Sequence, residues 1–301
     1  MLCAEETERE TGPLMAEPPR LQASLQLVFA RDDLTGQTIL ASSRQEPPLK
    51  VVRAFAVEEG GAMAHLHNVS GGLVGGDSLA LSVLVGDGAN VQLTTTGATR
   101  IYRPRRRAAV TTQRNDIMVA DNALLEYVPD LIIPFAGARF SQHTTIKLGS
   151  GAGLFWWEIL GPGRHARNEI FEYEHVEMKT ELVAVGRCIA TEHIRLEPKR
   201  YDVSSPVRLG PHRYCATFYI CRVGLGGNAW LDLEQRVRKV IATLTPSGET
   251  LWGVSTLVAD GLVVRCLAGQ GSDVLPGLRA VWQAAKFALF GRDAVPPRKV
   301  N

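Results

Sequence analysis

A turn of nearly constant sequence recurs three times between residues 85 and 154, and it limits what the chain can fold into. The copies are VGDGANV at 85–91, VADNALL at 119–125 and LGSGAGL at 148–154, so they are offset by 34 and 29 residues. A unit that recurs every 30 or so residues predicts stacked β units, not a doubly wound sheet. A fainter copy, VADGL, lies at 258–262. Independent hairpins that share turn chemistry are the alternative, and residues 79–85 and 90–96 around the first copy predict such a hairpin.

Short runs rich in Val, Leu, Thr, Phe and Tyr fill the chain up to about residue 225, and this pattern is typical of strands. Helical spacing of apolar residues occurs in 231–244 and in 278–290, where Gly291 supplies a stop. We therefore expect a mainly β fold of many short strands, β-helical or built of stacked hairpins, with about two α-helices in the C-terminal half packed on it. Residues 21–295 are predicted to form one domain, between a disordered acidic tail (1–20) and an extended end (296–301).

Composition excludes several classes of protein. The formal net charge of +2 gives no bulk field for nucleic acid or an acidic membrane. Five cysteines without a CxxC pair argue against a disulfide framework and for a reducing cytoplasm. No run approaches the roughly 18 apolar residues of a membrane helix, and the first twenty residues lack a secretory signal.

The segment HNVSGGLVGGDS (67–78) fits neither common phosphate-binding loop. Its glycines, Gly71, Gly72, Gly75 and Gly76, lack the GxGxxG spacing and lead into another strand. The chain contains no Gly-Lys, which a Walker loop requires, and GxSxG and HExxH are also absent. Dinucleotide, nucleotide and common hydrolase functions are therefore disfavoured, and no catalytic residue is assigned. The glycines are expected where backbones approach closely or take positive φ.

Two other motifs have ordinary explanations. His65 and His67 share one face of a strand and could begin a metal site, but two half-buried strand residues are the more common case. Six arginines and no acid lie between Arg100 and Arg114. This run could follow a nucleic-acid backbone, although a solvated loop or a protein-docking patch fits the balanced charge better.

Acidic residues near the repeated turns are the best candidates for metal chemistry. Glu126 and Glu158 follow the second and third turns within apolar strands, where a carboxylate is costly unless it is paired. Each is expected either on the solvent face or as a satisfied group inside. If the units stack, Asp77, the threonines around Thr95, Glu126 and Glu158 could line one internal channel of oxygen ligands.

Taken together, these motifs resemble a known family. HNVSGGLVGGDSL, TTTGATRIYR, LLEYVPDLIIPF and WWEILGPGR occur in the order and spacing of the urease accessory proteins UreD, also called UreH. The resemblance covers about residues 21–298. It carries the four glycines and Asp77 onto the family's glycine-rich motif, and Thr95 and Tyr102 onto the segment after it. Pro129 accompanies Glu126 in the Leu-Glu-x-x-Pro stretch, and Arg164 accompanies Glu158 in the Trp-Glu motif.

The resemblance implies a non-enzymatic role in the cytoplasm. Members act with UreF and the GTPase UreG on the urease apoprotein, and they are expected to pass Ni²⁺ to its active site through an internal tunnel. No tightly bound cofactor is expected, only transient Ni²⁺, and neither nucleic acid nor membrane is an expected partner. Asp77, Thr95, Glu126 and Glu158 are then the candidate metal-binding or tunnel-lining residues. The alternative is a β-solenoid enzyme acting on a polysaccharide, with Asp77, Glu126 and Glu158 as catalytic carboxylates about 5 to 9.5 Å apart.

Overall fold

The computed structural model describes residues 22–104, 109–244 and 250–297. The predicted tail 1–20, part of the arginine run (105–108) and most of the predicted C-terminal end (298–301) lie outside the described residues. The strands before residue 150 are β1 (Gln22–Arg31), β2 (Thr38–Gln45), β3 (Leu49–Lys50), β4 (Ala54–Val57), β5 (Gly61–Asn68), β6 (Leu73–Gly75), β7 (Ser78–Val85), β8 (Asn90–Thr95), β9 (Thr99–Pro104), β10 (Thr111–Val119), β11 (Leu124–Tyr127), β12 (Ile132–Pro134) and β13 (Arg139–Leu148). The later elements are β14 (Gly153–Leu160), β15 (His175–Ala184), β16 (Arg187–Leu196), β17 (Tyr214–Arg222), α1 (Gly227–Thr243), β18 (Thr250–Thr256), β19 (Gly261–Ala268) and α2 (Gly271–Phe290).

Successive coils of the chain stack in parallel and form a β-helix. Each coil contributes a strand to a twelve-stranded sheet and then a strand to a seven-stranded sheet. In the first sheet β5, β8, β11 and β14 run parallel, and in the second β7, β10, β13 and β15 do. The short strands β6, β9 and β12 follow the strands of the twelve-stranded sheet along the chain. They pair in parallel as a further row of that sheet. Antiparallel strands complete both sheets at their ends.

The repeated turns stack directly on one another, as their spacing predicts. Val85 pairs with Val119, and Val119 pairs with Leu148, so the offsets of 34 and 29 residues are the lengths of two coils. The fourth residue of each copy has positive φ, which favours Gly or Asn there: Gly88 (62°), Asn122 (54°) and Gly151 (67°). The Gly88 N–H donates to the Asp121 carbonyl (2.9 Å), and this bond ties adjacent coils together.

The mainly β fold class is confirmed, but two details of the turn interpretation are wrong. Strands β7 and β8 belong to different sheets, so the first copy turns a corner of the β-helix and is not a hairpin. The fainter copy at 258–262 is the antiparallel hairpin between β18 and β19. The fourth parallel coil ends instead at Ala184, which pairs with Leu148.

Both expected helices are present and begin earlier than their periodicity predicts. Helix α1 begins at Gly227 and α2 at Gly271. Pro276 and Gly277 resemble helix breakers in sequence, yet α2 continues through them. A Cβ at Gly277 would overlap the Trp252 ring, so glycine allows close packing at this point. Gly291 has φ of +66° and ends α2 as predicted.

The molecule has two buried apolar layers. One lies between the two sheets, and strand residues that point inward fill it. The other lies between the twelve-stranded sheet and the two helices, where Phe155, Trp157 and Trp282 pack. Successive side chains of β14 point to opposite faces of the sheet. Trp157 therefore points towards the helices, whereas Trp156 and Glu158 point into the space between the sheets. Within the described residues, no helix is long and apolar enough to cross a membrane.

Candidate functional site: a line of internal cavities

Three cavities lie end to end between the two sheets. The first has a volume of about 250 Å³, the second about 20 Å³ and the third about 10 Å³. Thr99, Gln113 and Tyr127 line both the first and the second cavity, and Glu158 lines both the second and the third. This cavity line runs from the first coil, beside the glycine-rich segment, along the axis of the β-helix to β16 and β17.

Polar side chains follow the cavity line through an otherwise apolar interior. Burying such groups is unfavourable unless they find hydrogen-bond partners, and several are tied together. Gln113 donates to Asn115 (3.0 Å), which donates to Thr144 (3.0 Å) on the next strand. The polar residues that line the first cavity are His67, Asn68, Thr95, Thr96, Thr99, Arg100 and Gln113, and those farther along are Asp130, Gln142, Glu158, Thr180, Glu192 and Thr217. Hydroxyl, amide and carboxylate groups make up most of this lining.

Glu158 occupies the junction between the second and third cavities. Its carboxylate accepts a short hydrogen bond from Gln142 and a long one (3.5 Å) from the Thr180 hydroxyl. Burial raises the pKa of Glu158 to about 7, and the neighbouring Glu192 adds to the rise, while the two hydrogen bonds oppose it. This carboxyl therefore gains or loses a proton near neutral pH.

The ligands in the third cavity are hard rather than soft. Cys215 lines this cavity, but burial raises the pKa of its thiol to about 12, so the thiol stays protonated. Among residues 22–104, 109–244 and 250–297, no cluster of three or more His, Cys, Asp or Glu residues could hold a metal ion. The third cavity therefore offers oxygen groups, two of them the carboxylates of Glu158 and Glu192, and no thiolate.

Thr95 lies where the sequence hypothesis requires, on the wall of the first cavity. Its hydroxyl donates to the Asp130 carboxylate (3.2 Å) and accepts from the Asp130 backbone N–H (2.9 Å). Asp130 lines the second cavity. Thr95 and Glu158 are thus brought onto one passage, and Asp130 joins them.

Glu126 lies on the opposite face of its sheet, beneath α2. Its carboxylate accepts from Trp282 Nε1 (2.7 Å) and Lys286 Nζ (2.8 Å). Burial raises the pKa of Glu126, while Lys286 opposes that rise. It borders a separate cavity of about 130 Å³ outside the β-helix. Thr95 and Glu158 thus line adjoining cavities between the sheets, whereas Glu126 lies outside them and joins α2 to the sheet.

Asp77 and the glycines form the tight segment that borders the first cavity. Asp77 accepts from the Val74 N–H (2.8 Å) and lines none of the three cavities. Gly71 and Gly76 have positive φ. A Cβ at Gly72 would overlap Tyr102, and one at Gly75 would overlap the Pro104 backbone. Both expectations for these glycines, positive φ and close approach, are met.

The remaining motif residues brace the segments around the cavities. The Tyr102 hydroxyl donates to the Gly71 carbonyl (3.3 Å), and its ring meets Phe135 edge-on. The Arg164 guanidinium lies 4.5 Å above the Phe135 ring and forms an ion pair with Glu169. The Pro129 carbonyl accepts from Trp157 Nε1 (3.0 Å). Of the two strand histidines, His67 lines the first cavity.

Sequence reasoning missed much of the passage. No motif in the sequence marks five of the residues that line a cavity, namely Gln113, Gln142, Thr180, Glu192 and Thr217. One signal was present in β13 and β15, where Gln142 and Thr180 alternate in phase with apolar residues that point inward. A polar residue in that phase must face the interior.

The fold and the cavity line define a class of protein. It is a β-helical protein with a line of polar cavities between its sheets, and its acids do not meet in one open groove as a glycosidase requires. Asp77 lies in a turn, Glu126 beneath α2 and Glu158 inside the β-helix.

Comparison with known proteins identifies the family. The family model described as UreD urease accessory protein matches residues 21–301. A urease accessory protein UreD from Herpetosiphon aurantiacus is 41% identical over 264 residues, covering 88% of this chain and 92% of the relative. One from Halalkalibacterium halodurans is 37% identical, covering 91% and 97%, and one from Pseudomonas fluorescens is 32% identical, covering 94% and 96%. The chain belongs to the UreD family of urease accessory proteins, which are named as accessory factors and not as enzymes.

Proposed function

We propose that this protein is a scaffold and nickel conduit in urease maturation. Its membership of the UreD family supports a role in urease maturation. The observation that carries the conduit is the cavity line itself, in which three adjoining cavities share Glu158, Thr99, Gln113 and Tyr127 as common walls. In this proposal Ni²⁺ is cargo and passes between the sheets.

The lining suits a cation that must both enter and leave. A conduit has to bind its ion strongly enough to admit it and weakly enough to release it. Ni²⁺ binds nitrogen and sulfur ligands tightly, so a lining made mostly of hydroxyl, amide and carboxylate oxygens binds it more weakly and releases it faster. The first cavity also has one imidazole, that of His67, and one cation, Arg100. With its pKa near 7, Glu158 gives up a proton when the cation arrives and takes one back when the cation departs.

The partners follow from the same role. We propose that the protein works in the cytoplasm with UreF and UreG, that UreG supplies Ni²⁺, and that the urease apoprotein receives it. The names of the relatives support the link to urease. Binding of nickel by this chain is transient in this scheme, and neither nucleic acid nor membrane takes part.

A deletion experiment tests the proposal. In a strain that lacks this protein, urease should be expressed but should contain little nickel and be inactive without added metal. Re-expression of the wild-type chain or of Glu181→Ala, whose side chain lies on the outer face of β15, should restore nickel. Glu158→Ala should restore complex assembly but not nickel. Normal urease nickel content in the deletion strain would contradict the role in maturation, and normal content with Glu158→Ala would contradict the conduit.

A further inference from the structure

An ion pair closes the end of the cavity line that lies farthest from the glycine-rich segment. Glu192 of β16 lines the third cavity. One of its carboxylate oxygens accepts from Arg265 Nε (2.9 Å) and the other from the Tyr219 hydroxyl (3.0 Å). Burial raises the pKa of Tyr219, so its hydroxyl keeps the proton that it donates. Each oxygen of this carboxylate therefore accepts one strong hydrogen bond.

Strand register places this ion pair next to Glu158. Glu158 pairs with Thr217 on the neighbouring strand, and Thr217 pairs with Arg265 on the next. Glu192 pairs with Thr180, whose hydroxyl reaches Glu158. Adjacent strands lie about 4.8 Å apart, so Arg265 is about two strand spacings from Glu158. Two carboxylates, those of Glu158 and Glu192, thus meet at a cavity that is just large enough for one water. The Arg265 guanidinium does not line this cavity, but it is bound to Glu192 beside it.

The guanidinium and a divalent cation compete for the same carboxylate. Arginine stays charged at any physiological pH, so it screens Glu192 from the interior as long as the pair is formed. The Arg265 side chain is 55% exposed, whereas that of Glu192 is 15% exposed. The pair is therefore exposed on the arginine side only. When it opens, the guanidinium is hydrated by solvent and Glu192 keeps the Tyr219 hydrogen bond, so Arg265 can turn outward while Glu192 stays at the cavity.

We propose that Arg265 is the gate at this end of the conduit. Paired with Glu192, it keeps this carboxylate from the cation; turned outward, it leaves Glu192 and Glu158 to share the cation across the third cavity. This inference rests on the proposed function, because it names the residue that controls one end of the passage.

Nickel binding by the full-length protein tests the gate directly. Equilibrium dialysis against Ni²⁺ at pH 7.5 would compare the wild type with Arg265→Gln, Glu192→Gln and the double variant. Arg265→Gln should bind Ni²⁺ at least about tenfold more tightly, and adding Glu192→Gln should remove that gain. The matched control is Arg195→Gln, which breaks an exposed pair with Glu197 on the outer face of the same strand as Glu192 and should leave nickel binding unchanged.

The nickel affinities decide whether Arg265 is a gate. Unchanged affinity of Arg265→Gln, or a gain that survives Glu192→Gln, would overturn the gate. Equal thermal unfolding midpoints among the variants would show that the comparison is between folded proteins. Failure of the gate would leave the conduit intact, because failure of the conduit shows instead as normal nickel in urease when Glu158→Ala is expressed.

Discussion

At the scale of single residues, two glutamates that look alike in sequence have opposite environments. Glu126 and Glu158 both follow a repeated turn, and both lie in apolar strands. Glu126 points towards α2 and has Lys286 as a counter-charge. Glu158 points between the sheets, where the charge that raises its pKa further is another carboxylate, Glu192. The sequence predicts that each acid is either solvated or satisfied, but only the strand register decides which.

Stability should depend on pH through Glu158. Its pKa of about 7 in the folded protein lies above the ordinary 4.5. The folded state therefore holds a proton that the unfolded state has lost, and wild-type stability falls as the pH rises from 4.5 to 7. Glu158→Gln should be more stable than the wild type by about 2 to 3 kcal/mol at pH 8 and by almost nothing at pH 4. Urea denaturation at the two pH values checks this, and an equal effect at both would contradict it.

Replacing Glu126 by glutamine should destabilise the protein, whereas the same replacement at Glu158 should stabilise it. Glu126→Gln leaves the buried Lys286 ammonium without its counter-charge and should destabilise the protein by about 3 kcal/mol at pH 7.5. Asp116→Asn is the control, because the Asp116–Arg114 pair is exposed and its loss should change stability little. Chemical denaturation measures both variants. A loss for Glu126→Gln no larger than the control's would show that the buried pair does not stabilise the helix layer.

At the scale of elements, the repeated turn made the stacking predictable. Its offsets equal the pairing register of β7, β10 and β13, because each copy holds one residue with positive φ at the same corner. Whether the turn reverses the chain within one sheet or carries it into another was not predictable, because Asp-Gly serves both geometries. The first turns of α2 were also not predictable, because Pro276 and Gly277 are residues that usually end a helix. Here the helix continues through them, and Trp252 packs against it at Gly277.

In the glycine-rich segment, close packing of two strands should make an added side chain destabilising. Strand β6 packs so closely on β9 that a Cβ at Gly75 would overlap the Pro104 backbone, which cannot give way as a side-chain tip can. Gly75→Ala should cost about 2 kcal/mol or more. Gly97→Ala is the matched control, because nothing lies within 4 Å of its added Cβ, and it should change stability little. Thermal unfolding of the two variants compares them, and equal losses would contradict close packing as the reason for the glycine.

At the scale of the whole molecule, the passage exists because two sheets face each other with polar residues in matching positions. The alignment of the repeated turns predicts that Asp77, Thr95, Glu126 and Glu158 line one channel, but Asp77 and Glu126 lie outside the three cavities. Gln113 and Gln142 lie in one sheet and Glu158 in the other. No local pattern shows that they meet, because the contact depends on how the coils stack. The resemblance to the UreD family predicted the fold and the class of function. The residues that line the cavities are known only from the three-dimensional structure.

One measurement tests the conduit most directly, the number of nickel atoms per active site in urease matured with charge-insertion variants. Gln142→Lys places a positive charge on the cavity line beside Glu158, whereas Gln92→Lys makes the same change at a buried position outside it, facing the 130 Å³ cavity near Glu126. Both variants should still purify with urease and the other accessory proteins. Gln142→Lys should lower nickel content at least about tenfold, equivalent to about 1.4 kcal/mol, and Gln92→Lys should leave it near the wild-type value. Wild-type nickel content with Gln142→Lys would contradict transport through the interior.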